Sequence, residues 1–66
     1  MQIQVNGAPK DVAPDTTLLV LIESLALNPK TAVALRNDVV IPREEYTATH
    51  LFEGDIIELV RLVGGG

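Results

Sequence analysis

The absence of cysteine from a chain of only 66 residues is the tightest constraint on what it can fold into. A domain of this size buries only about 60% of the surface its unfolded chain exposes. Neither a disulfide framework nor a zinc-thiolate cluster can make up the deficit, so one well-packed core must suffice. There is no room for a second domain, and no side-chain thiol is available as a nucleophile. A hydrophobic fraction of 47% is enough for that core. Nine acidic residues against five basic ones leave a formal net charge of -4, which opposes nonspecific binding to nucleic acid and favours a partner with a basic docking face. The longest apolar run, Leu18 to Ile22, is far too short to cross a bilayer. Strand-like sequence follows Met1 directly, which leaves no space for a signal peptide. The expectation is a soluble, cytoplasmic protein with no membrane association.

Met1-Gln2-Ile3-Gln4-Val5 alternates apolar and polar and reads as a half-buried strand with Met1, Ile3 and Val5 on one face. Asn6-Gly7 tolerates the two positive φ angles of a type I′ turn, so Ala8 to Val12 returns antiparallel as a second strand. Pro9 suits an edge better than a central ladder. Asp15 and Thr16 offer N-cap oxygens to a helix beginning near Thr17. Leu18, Leu21, Ile22 and Leu25 recur at helical spacing as its buried stripe. Leu19 and Val20 fall off that stripe, and either lie under a loop or join an exposed apolar patch. Asn28-Pro29 ends the helix, because the residue before proline is pushed out of the α region. Thr31 to Leu35 reads as a third strand, Asn37-Asp38 as a turn and Val39-Val40-Ile41 as a brief fourth strand closed by Pro42. Arg43 to His50 is polar and reads as an irregular or single helical turn, with Tyr46 packing inward. Glu53-Gly54-Asp55 is a turn, and Ile56 to Val63 is the strongest strand signal in the chain.

Strand, strand, helix, strand, short strand, strand describes an α+β roll of the β-grasp, ubiquitin-like class. A mixed sheet of four to five strands carries one main helix across it, with the first and last strands side by side in the centre. The domain spans residues 1–63, and Gly64, Gly65 and Gly66 form a flexible tail. Three consecutive glycines carry no side chain to obstruct a narrow slot in another protein, and they reach about 10 Å when extended. Within the last strand, Ile57 and Leu59 share one face, while Ile56, Glu58, Val60 and Leu62 share the other. Glu58 would be costly in a dry core, so its face looks outward. Ile56, Val60 and Leu62 then form an exposed apolar row that marks a partner-binding surface.

The whole chain resembles the sulfur carrier proteins of thiamine thiazole biosynthesis, the ThiS group of ubiquitin-like proteins. The match is carried by the opening strand to Asn6-Gly7, by Asn37 followed by Val40-Ile41-Pro42-Arg43, and by Tyr46. It continues through Leu51-Phe52-Glu53-Gly54-Asp55-Ile56-Ile57-Glu58-Leu59 to the closing Gly65-Gly66. Tyr46 stands where the family often has tryptophan, and Gly64 where alanine is frequent; neither change touches the carboxylate. The resemblance implies that an ATP-dependent activating adenylyltransferase, similar to ThiF, adenylates the Gly66 carboxylate. A sulfur donor then converts it to a thiocarboxylate, which delivers sulfur to a ThiG-like thiazole synthase. Gly64 and Gly65 would thread the main chain to the catalytic centre. The carrier itself would bind no cofactor, ATP being used by the activating partner, and would be no enzyme and need no catalytic residue.

Other residues compete weakly for a chemical role. His50 stands without companion ligands and reads as a surface residue, since zinc takes three or four protein ligands. Glu44-Glu45 reads as a solvated turn, because adjacent side chains rarely converge on one substrate atom. Arg43 is open to two readings, pairing with an acidic neighbour or docking a partner. Three rival functions remain: the sulfur-carrying small subunit of molybdopterin synthase, a ubiquitin-like protein modifier joined through Gly66, and a docking module with an inert tail. The molybdopterin subunit is usually longer, with more sequence ahead of the helix.

Overall fold

The computed structural model describes residues 1–62. Five strands and one helix follow the expected order: β1 (Gln2–Val5), β2 (Ala8–Asp11), α1 (Leu18–Ser24), β3 (Ala32–Arg36), β4 (Val39–Ile41) and β5 (Ile56–Arg61), with one 3-10 turn at Arg43–Glu45. They form one mixed sheet of order β2-β1-β5-β3-β4. β1 and β5 lie parallel at its centre, and every other pairing is antiparallel. This is the β-grasp architecture that the alternation pattern implies. The expected last strand residue, Val63, and the tail Gly64, Gly65 and Gly66 lie outside the described residues.

The core forms where the inward faces of β1, β3 and β5 meet the helix stripe. Ile3, Ala32, Ala34, Ile57 and Leu59 come from the sheet, and Leu18, Leu21 and Ile22 from α1. Tyr46 and Leu51 close it from the connection before β5. Small alanines on β3 let the neighbouring large aliphatic side chains fill the space between the layers. Tyr46 does pack inward, and its hydroxyl donates to the Ala32 carbonyl at 2.8 Å, so the ring is buried without an unsatisfied polar atom. Pro9 sits in β2, an edge strand, where the missing N–H costs no central ladder bond.

The helix departs from expectation at both ends. Its N-cap is Thr17 rather than Asp15 or Thr16. Thr17 has extended backbone angles, and its hydroxyl oxygen accepts from the Val20 N–H. Thr16 spends its hydroxyl on the Ala13 carbonyl, 2.6 Å away, and Asp15 occupies a left-handed turn position with φ of 66°. The helix then ends at Ser24, well before Asn28-Pro29. Ala26 takes φ of 60°, its N–H bonds to the Glu23 carbonyl, and the Leu27 N–H bonds to the Ile22 carbonyl. These two bonds make a Schellman closure, with alanine at the position normally held by glycine. The closure lets Leu27 fold back against the core, a tertiary gain that overrides the local pattern. Consequently Leu25, expected in the buried stripe, is only half-buried. Leu19 packs against the core while Val20 is exposed, so the two off-stripe residues divide between the two readings.

Candidate docking face and terminal strand

β5 occupies the middle of the sheet, and its alternation separates two surfaces. Ile57 and Leu59 are buried against the helix, whereas Ile56, Val60 and Leu62 are 46%, 50% and 55% exposed. Glu58 is exposed between them. The sequence-derived face assignment therefore agrees with the geometry. Register adds neighbours that one strand alone does not show. Val33 lies opposite Val60, and Leu35 opposite Glu58 on one side and Val40 on the other. On the other side of β5 the same face becomes polar, since Gln4 lies opposite Ile56 and its own neighbour across the hairpin is Pro9. The uncovered side of the sheet is thus divided: an apolar half made by β5, β3 and β4, and a polar half made by β1 and β2. Glu58 lies within the apolar half and has no cation paired to it among the described residues.

The entrance to β5 is secured by a polar cluster that the sequence did not single out. The turn Phe52–Asp55 closes through the Asp55 N–H to the Phe52 carbonyl at 3.0 Å, with Gly54 at φ of 84°. Glycine accepts that positive φ without the strain a Cβ would bring. Asp55 is only 7% exposed, yet its carboxylate has four donors. It accepts from the Phe52 N–H at 2.8 Å, from Arg36 Nε at 3.1 Å and Nη2 at 3.0 Å, and from Asn37 Nδ2 at 3.4 Å. The Arg36 guanidinium also lies 5.2 Å from the centre of the exposed Phe52 ring. Burial of this carboxylate is tolerated because charged and neutral donors replace the water it loses.

Both hairpin asparagines extend onto β5 as well. Asn6 and Asn37 each have φ of 51°, which the two-residue turns require. Asn37 Oδ1 accepts from the Ile56 N–H at 2.9 Å, and Asn6 Oδ1 accepts from the Leu59 N–H at 2.8 Å. The signal was present in the sequence, since asparagine opens both turns, but turn chemistry alone accounts for asparagine there and gives no hint of a longer reach.

The remaining candidates have structural surroundings. Arg43 forms no ion pair among the described residues; its Nε donates to the Pro29 carbonyl at 3.2 Å and ties the 3-10 turn to the loop before β3. Glu44 and Glu45 are exposed in that turn. His50 is exposed and bridges Thr17 through the main chain. Among the described residues no three His, Asp or Glu side chains converge on a possible metal position, and no helix is long and apolar enough to cross a membrane.

Comparison with known proteins agrees with this architecture. The ThiS family model matches residues 3–66. The sulfur carrier protein ThiS of Bacillus subtilis is 37% identical over 65 residues, which cover 97% of this chain and 98% of that protein. A thiazole synthase of Magnetococcus marinus is 39% identical over 66 residues, all of this chain but 20% of that protein, so the present chain spans one fifth of its length. The crystal structure of the thiamine biosynthesis protein ThiS from Geobacter metallireducens superposes with a TM-score of 0.85 at 30% identity, covering all of both chains. On sequence and on fold alike, the chain belongs to the ThiS family.

Proposed function

We propose that this protein is a cytoplasmic sulfur carrier of thiamine biosynthesis, working through the main-chain carboxylate of Gly66. The observation that carries the reading is the ThiS match, which extends through the terminal glycines to residue 66. A free carboxylate is a poor electrophile, so its oxygen must first attack the α-phosphorus of ATP, with pyrophosphate leaving. A ThiF-like activating enzyme supplies that site. A sulfur nucleophile at the oxidation level of sulfide then attacks the acyl carbon, AMP departs with one former carboxylate oxygen, and a thiocarboxylate remains. The carrier contributes no acid or base to either step. Its part is to dock and to deliver, with Gly64 and Gly65 admitting the main chain to a confined centre without side-chain clashes.

The apolar half of the sheet, with Ile56, Val60 and Leu62 around Glu58, is the docking face for the enzymes that receive the tail. β5 leads from this face towards Gly66, four residues beyond Leu62, a distance of about 13 to 14 Å when extended. The thiazole route is favoured over molybdopterin by the relatives themselves. A carrier-like sequence forms part of the thiazole synthases of Magnetococcus marinus and of Paramagnetospirillum magneticum. A ThiG-like synthase is accordingly the acceptor proposed for this chain.

The test is intact-mass measurement after incubation with ATP, the activating enzyme and a sulfur donor. The expected change is the replacement of one oxygen by sulfur, abolished by removal of Gly66. A ladder of isopeptide adducts would replace this reading with that of a protein modifier. An unaltered mass in the presence of an enzyme that modifies the Bacillus carrier would refute the sulfur-carrier reading outright.

A further inference from the structure

We infer that Asn6-Gly7 is a latent hydrolytic modification site, a deamidation site, held closed by the attachment of the Asn6 side chain to β5. The local sequence favours the chemistry. Asparagine followed by glycine places an unhindered main-chain nitrogen beside a side-chain amide. In the reaction the deprotonated Gly7 nitrogen attacks Asn6 Cγ, a C–N bond forms, and ammonia leaves to give a five-membered succinimide. Water then opens the ring at either carbonyl, yielding aspartate or isoaspartate. The net change is asparagine plus water to a carboxylate plus ammonia, with no redox step.

The fold opposes the first step. β1 has β2 on one side and β5 on the other. Gly7 turns the chain towards β2, while the Asn6 side chain reaches the opposite way. Its Oδ1 accepts from the Leu59 N–H at 2.8 Å, and its Nδ2 donates to the Leu59 carbonyl at 3.3 Å. The Asn6 N–H also donates to the Ile57 carbonyl at 2.9 Å. Asn6 therefore pairs with β5 through its main chain and then, through its side chain, two residues further along. To reach the Gly7 nitrogen, Cγ must first leave Leu59, so the reaction proceeds from a locally opened state. Once converted, the residue refastens only in part: an aspartate still accepts from the Leu59 N–H, but the second bond is lost. A carboxylate has no donor for the Leu59 carbonyl and sets negative charge against it, and an isoaspartate adds a main-chain atom to the turn. Conversion thus weakens the hold of the first hairpin on the middle of β5, whose far end stays paired with β3 through Val60 and Arg61.

The other asparagines serve as internal standards. Asn28 precedes Pro29, whose nitrogen has no proton to lose. Asn37 precedes Asp38, whose side chain hinders the attack, and it is likewise bonded to β5. The full-length chain is incubated at mildly alkaline pH, folded and in concentrated urea, and the peptides that carry Asn6 (Met1–Lys10), Asn28 and Asn37 are followed by mass. In urea, Asn6 is expected to convert before Asn37, with Asn28 unchanged. In the folded chain its rate is expected to fall by roughly tenfold or more, the fraction of time the attachment is open. Equal rates in the two states would overturn the inference.

A second measurement does not depend on those rates. Hydrogen exchange of the Leu59 amide is compared in the parent, Asn6→Asp and Asn6→Gly chains. Glycine keeps the positive φ but has no side chain to bond. Asn6→Gly is expected to exchange Leu59 faster, and Asn6→Asp, which keeps an acceptor for that N–H, faster by a smaller factor, while Ile3 and Ala34 keep their protection. Unchanged Leu59 exchange in both would show that the attachment holds nothing.

Discussion

Replacing Asp55 with alanine tests how far one buried carboxylate supports this small fold. The substitution removes the acceptor for the Phe52 N–H and for both Arg36 nitrogens. A buried donor left unpaired costs about 1–3 kcal/mol. Breaking a fully buried ion pair costs about 3–5 kcal/mol, but the Arg36 side chain keeps 22% of its surface in water, so the lower end applies. We expect a loss of about 3 kcal/mol, against a total stability of about 3–10 kcal/mol for a domain of this length. At about 4–8 °C per kcal/mol, the melting temperature should fall by about 12–24 °C. Arg36→Ala should cost less, about 1–2 kcal/mol, because Asp55 keeps the Phe52 N–H and the Asn37 amide. Urea denaturation of the parent, both single variants and the double variant closes a cycle, with an expected coupling of about 1 kcal/mol or more. A cost below about 1 kcal/mol for Asp55→Ala, or additive single effects, would refute the argument that this cluster fastens the start of β5.

Four other perturbations address the rest of the molecule. Ala26→Gly should stabilise the chain by about 0.5–1 kcal/mol in urea denaturation, because glycine removes the Cβ strain at φ of 60° and loses part of that gain to greater freedom when unfolded. Tyr46→Phe leaves the ring in place but deletes the donor to the Ala32 carbonyl, for an expected loss of about 1–2 kcal/mol read by thermal melting. Val60→Lys should weaken binding to the proposed activating enzyme while changing stability by no more than about 0.5 kcal/mol, since Val60 is half exposed. Glu58→Gln should reduce the salt dependence of the same binding measured by titration calorimetry, because Glu58 has no cation paired to it among the described residues.

The sequence legibly encodes what depends on periodicity and on chirality. Alternation in β1 and β5 determines which side chains face the helix, because successive residues of a strand point to opposite sides whatever they pack against. Asn6-Gly7 and Asn37-Asp38 announce their turns, because few other residues tolerate positive φ twice in succession. From those signals follow the outward row Ile56, Val60 and Leu62 and the edge position of Pro9. The rules for connecting strands add the central pairing of β1 with β5, whereas the place of β3 beside β5 came from the structure. Tertiary contact alone decided the rest. α1 stops at Ser24 because folding Leu27 back onto the core outweighs the strain at Ala26, and that balance is invisible until the core exists. Asp55 reads as an ordinary turn acid, and becomes a buried four-donor centre only when β3 brings Arg36 and Asn37 beside it. Asn6 and Asn37 likewise gain their second role from β5, about 50 and 20 residues away along the chain. Such contacts depend on which segments meet in space, and periodicity within one segment carries no record of its neighbours.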